Sequence, residues 1–93
     1  MNNYFKNRYN IEKIINAMEI LVGSGSLSDR IDFAFKQNIL YLQPEYMPDY
    51  IRIQYSIVWN KIFSKNISKM DEFELNEISN QILKLYKLLM LIK

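Results

Sequence analysis

The two prolines of this 93-residue chain, Pro44 and Pro48, stand within five positions of each other. Proline fixes its own φ angle and disfavours helical geometry at the residue before it, so this stretch must separate two regular elements. The two glycines, Gly23 and Gly25, form a second break. The sequence therefore predicts long uninterrupted elements on both sides of these breaks.

Before, between and after these two breaks, apolar residues recur at three- and four-residue steps, which is the spacing of amphipathic helices. A first helix is predicted from Ile11 to Val22 and is expected to end at Gly23, where glycine accepts a left-handed conformation without steric cost. Ser26 is a favourable N-cap, so a second helix is predicted from Leu27 to Leu42, just before the first proline.

The segment after Pro48 fits two patterns. Residues 50–57 alternate between apolar and polar side chains as a strand does, yet residues 51–62 also carry a helical stripe without glycine. A single strand would lack a pairing partner, so a third helix is favoured, with Pro48 in its first turn. A fourth helix is predicted to begin at the acidic run that starts with Asp71.

The predicted inner faces of these helices contain one polar residue, Asn38. A buried asparagine can fix how helices pair, or its amide can reach a backbone carbonyl or solvent at the edge of the core, and both interpretations stay open. The predicted inner residues are Ile11, Ile14, Ile15, Met18, Leu21 and Val22; Leu27, Ile31, Ala34, Phe35, Asn38, Tyr41 and Leu42; Ile51, Tyr55, Val58 and Ile62; and Leu75, Ile78, Ile82, Leu85, Leu89 and Ile92.

The numbers of charged and reactive side chains limit the classes of function that this chain can have. Twelve Lys and Arg against ten Asp and Glu give a net charge of only +2, which selects no polyanionic partner. Cysteine and histidine are absent, so thiol nucleophiles, catalytic triads and ordinary zinc sites are excluded. Acidic residues such as Asp29 and Asp71 stand where helix capping explains them. We therefore predict no enzyme activity and no cofactor.

A cytoplasmic location is predicted from the same composition. The absence of cysteine suits a reducing compartment, and the first residues lack the apolar core of a signal peptide. Apolar runs are shorter than the roughly 18 residues of a membrane span, so no integral membrane segment is predicted. The abundance of Asn, Ile, Lys and Tyr is typical of AT-rich coding sequence and indicates a low-GC bacterium or one of its phages.

Several helices carry apolar residues outside their predicted inner faces. In so small a domain these residues either surround a central helix, for which the fourth helix is the candidate, or form a contact surface for another protein or a second copy. The contact surface is predicted to comprise Phe33, Leu40, Tyr46, Tyr50, Leu83, Tyr86 and Met90, while the other apolar residues off the inner faces include Ile53, Ile57, Trp59, Phe63, Leu88 and Leu91.

Residues 49–70 support an alternative function, because they hold four basic residues against one acidic residue, Asp49. These basic side chains could bind a phosphate backbone while Trp59 or Phe63 stacks on a base. The nucleic-acid-binding residues of this alternative are Arg52, Lys61, Lys65 and Lys69.

The order of certain residues resembles a group of short uncharacterised bacterial proteins that have a Pro-Glu-x-x-Pro elbow between their second and third helices. The residues that carry this resemblance are Leu27, Arg30, Ile31 and Ala34, then Leu42, Pro44, Glu45, Met47 and Pro48, then Ile82, Leu83, Leu85 and Tyr86. The chain departs from that group at Tyr46-Met47, where the group has Asp-Leu. The resemblance implies a compact helical fold and no particular chemistry.

Together these features predict a single all-α domain, a small four-helix bundle with a proline-bounded elbow between helices two and three. The predicted function is that of a small non-enzymatic interaction module, such as an accessory subunit, an inhibitor or a regulator, that binds through an apolar helix face.

Overall fold

The computed structural model describes residues 3–92, with side chains from residue 7 onward, and this part of the chain forms helices and no strand. The prediction of an all-α four-helix bundle is confirmed, and the ambiguous segment 50–57 is helical. The helices are α1 (Asn3–Leu21), α2 (Leu27–Gln37), α3 (Asp49–Phe63) and α4 (Glu72–Leu91), and short 3-10 turns lie at Ile39–Tyr41, Pro44–Tyr46 and Ile67–Lys69.

Helix α1 begins well before the apolar stripe that predicted it, and the stripe starts late because the inner face of residues 7–10 is polar. Asn7 and Asn10 are only 3% and 0% exposed, and they continue the buried face of Ile14 at three- and four-residue steps. A search for apolar periodicity does not detect such a face. At the other end, Val22 lies beyond the helix and is 78% exposed, so its predicted place in the core is wrong.

The turn between α1 and α2 is stabilised by an arginine as well as by glycine. Gly25 has a φ of 103°, whereas Gly23 does not have a positive φ, so the left-handed conformation predicted for Gly23 is wrong. The Arg30 guanidinium donates to the carbonyl oxygens of Leu21 and Gly25. A cation at this position stabilises the C-terminus of α1, whose last carbonyls have no helical partner.

Helix α2 starts at Leu27 as predicted but ends at Gln37, earlier than the predicted end at Leu42. Asn38 leaves helical geometry with φ −135° and ψ −59°, and the chain continues as a 3-10 turn. This change of geometry rotates the following side chains, so Tyr41 is 54% exposed and its predicted place in the core is wrong. Asn38 and Leu42 are buried, as predicted for the inner face.

The elbow from Pro44 to Pro48 is fixed by its prolines and by a side chain of α1. Pro44 starts a 3-10 turn, and Pro48 is the N-cap of α3, one position earlier than predicted. Asn10 Nδ2 donates to the Gln43 carbonyl oxygen at 2.9 Å, and Asn10 Oδ1 accepts from the Gln43 N–H at 2.7 Å. Met47 is 3% exposed and covers the core. One buried amide of α1 therefore holds the elbow against the bundle.

Both predicted helix caps are confirmed. Ser26 Oγ accepts from the Asp29 N–H at 3.2 Å at the start of α2. Before α4, Asp71 Oδ1 accepts from the Glu74 N–H at 2.8 Å, and Glu74 Oε1 accepts from the Asp71 N–H at 3.1 Å, which completes a capping box. These first-turn carboxylates are therefore engaged with the helix ends.

Helix α4 is the centre of the bundle, because α1, α2 and α3 all pack against it. Gln54 of α3 is 3% exposed and donates to the Gln81 carbonyl oxygen at 2.9 Å, while Lys65 reaches Glu74 at 3.0 Å, so α3 and α4 run antiparallel. No helix within residues 3–92 combines the length and the apolar content that crossing a membrane requires. The buried residues of α4 are Leu75, Ile78, Ile82, Leu85 and Leu89, all predicted.

Candidate functional site

Helices α2 and α3 are separated by an aromatic cluster of Phe35, Tyr55, Trp59 and Phe63. The Phe35 ring meets the Trp59 and Phe63 rings edge to face, with centroids 5.1 Å and 5.6 Å apart. The Tyr55 ring meets the Trp59 ring at 6.0 Å in the same way. This edge-to-face arrangement is favourable for aromatic pairs. The backbones of α2 and α3 approach less closely than those of α3 and α4, and Phe35 and Phe63 of this cluster line an open space beside it.

Tyr55 connects the aromatic cluster to the segment that follows α2. Its side chain is 8% exposed, and its hydroxyl donates to the Ile39 carbonyl oxygen at 2.9 Å. Burial raises the pKa of the Tyr55 hydroxyl above its ordinary value of 10.0, because the charged form is poorly solvated there. The protonated hydroxyl donates to the Ile39 carbonyl and holds Tyr55 within the cluster.

The open space beside the cluster is an apolar groove, which we call the α2–α3 groove. It measures about 450 Å³, inside the range of about 300–1,000 Å³ that is usual for ligand-binding clefts. Two of its apolar side chains are exposed to solvent, since Phe63 is 66% exposed and Leu40 is 38% exposed. The groove is lined by Asp32, Phe35, Lys36, Leu40, Ile62, Phe63, Lys65, Asn66 and Ile67.

The charged side chains at the edge of the α2–α3 groove are paired within the protein. Lys36 Nζ lies 3.1 Å from the Asp32 carboxylate, and Lys65 Nζ lies 3.0 Å from the Glu74 carboxylate. Such solvent-exposed pairs contribute at most about 1 kcal/mol to stability, but they neutralise each other's charge. The groove therefore offers apolar contact rather than a binding site for an ion.

The residues predicted to bind a protein partner do not form one surface. Leu40 lines the α2–α3 groove, and Phe33 is 55% exposed on another side of α2. Phe33 and Phe35 are separated by about 200° around a helix, because each residue turns the chain by about 100°. Tyr46 and Tyr50, at 40% and 53% exposed, lie at the elbow and the first turn of α3. Only Leu40 of these four residues lines the groove.

The three predicted residues of α4 are partly covered by the rest of the bundle. Leu83, Tyr86 and Met90 are all half-buried, and Tyr86 packs against the core. Leu83 lines a separate cleft of about 610 Å³ together with Met18 of α1. The central position of α4, one of the two alternatives for the apolar surplus, therefore accounts for much of the apolar surface on this helix.

The main apolar residues of the α2–α3 groove that were not predicted as part of the contact surface are Phe63, Ile62 and Ile67. Phe63 was recognised as an apolar residue off the inner face of α3, and that position was the available signal. Ile62 was assigned to the core but is half-buried at the groove, and Ile67 lies in a connection where no periodicity exists. These residues meet Leu40 only through tertiary packing.

The basic residues of the alternative function are separated, and two of them are paired. Arg52 forms an ion pair with Asp49 in the first turn of α3. Lys65 pairs with Glu74 beyond the end of the same helix, about 20 Å away along its axis. Lys61 shares a cleft of about 190 Å³ with Glu74 and Glu77. These carboxylates reduce the positive charge that a phosphate backbone would meet.

Comparison with known proteins gives no relative for this chain: it matches no protein-family model, no curated protein and no solved structure. The resemblance to bacterial proteins with a Pro-Glu-x-x-Pro elbow therefore stays a prediction.

Proposed function

We propose that this chain is a small non-enzymatic protein-interaction module that receives apolar side chains of a partner protein in the α2–α3 groove. The exposure of Phe63 is the observation that carries this proposal, since its ring is 66% exposed beside an open apolar cleft. Removing apolar surface from water contributes about 25 cal/mol per Å², so a partner that covers this ring gains affinity. An accessory subunit, an inhibitor or a regulator would use such a surface.

The shape of the groove favours a helical partner segment. The contacts of Phe35 with Phe63 and of Ile39, just after α2, with Tyr55 indicate that α2 and α3 run antiparallel, and side chains of both helices line the groove. Within α2 the wall runs from Asp32 to Lys36, about 6 Å or roughly one helical turn, and Leu40 extends it in the 3-10 turn that follows. An amphipathic helix with apolar residues at three- and four-residue steps fits a groove of this kind.

Selection of short random peptides displayed on phage tests the proposal directly. Peptides are selected on the wild-type chain and then measured against Leu40→Asp and Phe63→Asp, which place a charge in the groove. We expect the selected peptides to carry apolar residues at helical spacing and to lose at least about tenfold in affinity for both variants.

The matched control is Phe33→Asp, because Phe33 is also an exposed apolar residue of this region but lies outside the groove. Circular dichroism verifies that all three variants keep their helical content. Peptides that bind Leu40→Asp and Phe63→Asp as well as they bind the wild type would contradict the proposal, and so would peptides whose binding depends on Phe33.

Salt dependence separates this proposal from nucleic-acid binding through Arg52, Lys61, Lys65 and Lys69. Phosphate contacts weaken steeply as salt rises, whereas contact between apolar surfaces does not. We expect selected peptides to bind equally at low and moderate salt, and fluorescence anisotropy with a labelled single-stranded oligonucleotide to show no salt-dependent binding. Oligonucleotide binding that a Lys61→Glu/Lys65→Glu variant loses would support the alternative.

A further inference from the structure

The outward side of α4, opposite its buried side, is formed by residues at alternating four- and three-residue steps. All of them are exposed except Glu77, which is half-buried. We call this surface the outer α4 face, and none of its residues lines the α2–α3 groove. It consists of Phe73, Glu77, Asn80, Lys84, Lys87 and Leu91.

The outer α4 face is symmetric about Ile82. Phe73 and Leu91 stand nine positions on either side of Ile82, and they are 74% and 79% exposed. Glu77 and Lys87 stand five positions on either side. A second α4 placed antiparallel, with a two-fold axis near Ile82, brings Phe73 against Leu91 of the other copy and Glu77 against its Lys87. A two-fold axis repeats each of these contacts.

The charges along α4 favour the antiparallel arrangement over the parallel one. The acidic residues Glu72, Glu74 and Glu77 precede Ile82, while the basic residues described in this helix follow it. Within residues 3–92, neither Glu77 nor Lys87 takes part in an ion pair, in contrast to Lys65 and Glu74. An antiparallel copy therefore sets opposite charges against each other, whereas a parallel copy sets like charges together.

Helix α3 widens this surface with apolar side chains. Tyr50 and Ile53 are 53% and 61% exposed on α3. The neighbouring Gln54 contacts Gln81 of α4, which places this part of α3 beside the middle of α4. The surface available to a second copy thus spans two adjacent helices.

We propose that the outer α4 face binds a second copy of this chain across a two-fold axis, with the two α4 helices antiparallel. From Phe73 to Leu91 the outer α4 face is about 27 Å long. Together with the neighbouring exposed side chains of α3, the contact area is about 18 Å wide and covers about 500 Å² per copy. A standard stable interface covers about 800 Å² per partner. The dimer is therefore reversible and forms as the protein is concentrated.

Sedimentation velocity over a concentration series up to about 1 mM tests the dimer, and a charge swap tests its geometry. Glu77→Lys sets two lysines together at each of the two symmetric contacts, and Lys87→Glu sets two glutamates together. We expect either single change to raise the dissociation constant about tenfold. The double variant Glu77→Lys/Lys87→Glu restores the opposite charges, so its dissociation constant returns to within about threefold of the wild-type value.

Glu45→Lys is the control, since Glu45 is an exposed residue of the elbow, remote in sequence from α4, and the same charge change there leaves the dissociation constant unaltered. A wild-type chain that stays monomeric throughout the series overturns the proposal. The proposal is also overturned if neither single change alters the dissociation constant, or if the double variant does not restore it, because association then uses another face. Either failure leaves peptide binding in the α2–α3 groove intact.

Discussion

At the scale of single residues, a few buried polar side chains select the arrangement of the helices. Asn10, Gln54 and Tyr55 are each buried, and each donates to a main-chain carbonyl of another element. Burying a polar group without its partner costs about 1–3 kcal/mol, so an alternative packing that breaks one of these contacts is strongly disfavoured. Each of these three contacts therefore favours the observed packing over one that breaks it.

Tyr55→Phe tests one of these contacts through its dependence on pH. The variant loses the hydrogen bond to the Ile39 carbonyl, which also accepts from the Leu42 N–H, so we expect it to be less stable by about 1 kcal/mol at pH 7. The folded state holds the hydroxyl proton more tightly than the unfolded state, because burial raises the Tyr55 pKa above 10.0. Its contribution is complete below pH 10.0 and is lost as pH rises further.

Urea denaturation of both proteins between pH 7 and pH 11 measures this effect. The difference in unfolding free energy between wild type and Tyr55→Phe should shrink above pH 10, where only the wild type loses the contribution of Tyr55. Tyr50→Phe, at an exposed position, is the control and should stay within about 0.5 kcal/mol of the wild type. A difference that is constant over the whole pH range contradicts the burial of the Tyr55 hydroxyl.

At the scale of elements, the sequence predicted those helices whose inner faces are apolar and whose ends carry clear caps. α4 was predicted almost to the residue, since its buried stripe is unbroken and Asp71 caps it. The first half of α1 was missed because Asn7 and Asn10 occupy its inner face. The α2–α3 groove was missed, apart from Leu40, because its walls come from distant parts of the chain that only the folded bundle brings together.

Asn10→Ala tests how the elbow is held. The variant removes both hydrogen bonds between Asn10 and the main chain of Gln43, so the Gln43 N–H and carbonyl lose this partner. We expect the free energy of unfolding to fall by about 2–4 kcal/mol. Urea denaturation gives the size of the loss, and faster amide hydrogen exchange at Gln43 locates it. Asn80→Ala, an exposed asparagine of α4, should change stability by less than about 0.5 kcal/mol. A loss for Asn10→Ala as small as that of the control contradicts the role of this contact.

At the scale of the whole molecule, the central position of α4 determines where apolar surface is left uncovered. The bundle measures 44 × 24 × 18 Å, and the other three helices pack against α4 while leaving its outer face free, so side chains such as Tyr86 are half-buried while Phe33, Phe63 and Phe73 stay exposed. The uncovered surface falls into the α2–α3 groove, the outer α4 face and isolated positions such as Phe33. We therefore propose one partner for each of the first two surfaces and none for the isolated positions.

Fluorine NMR of the chain labelled with 4-fluorophenylalanine tests this assignment most directly, with each signal assigned by a Phe→Tyr substitution. Relaxation by a soluble gadolinium complex reports how far solvent reaches each ring. In dilute solution we predict strong relaxation at Phe33, Phe63 and Phe73 and weak relaxation at Phe35, which is 5% exposed. Among Phe33, Phe35, Phe63 and Phe73, a groove-binding peptide should protect only Phe63, and concentrating the protein should protect only Phe73. If Phe63 is as protected as Phe35 in the dilute free chain, or stays fully accessible when the peptide is bound, the central claim is contradicted.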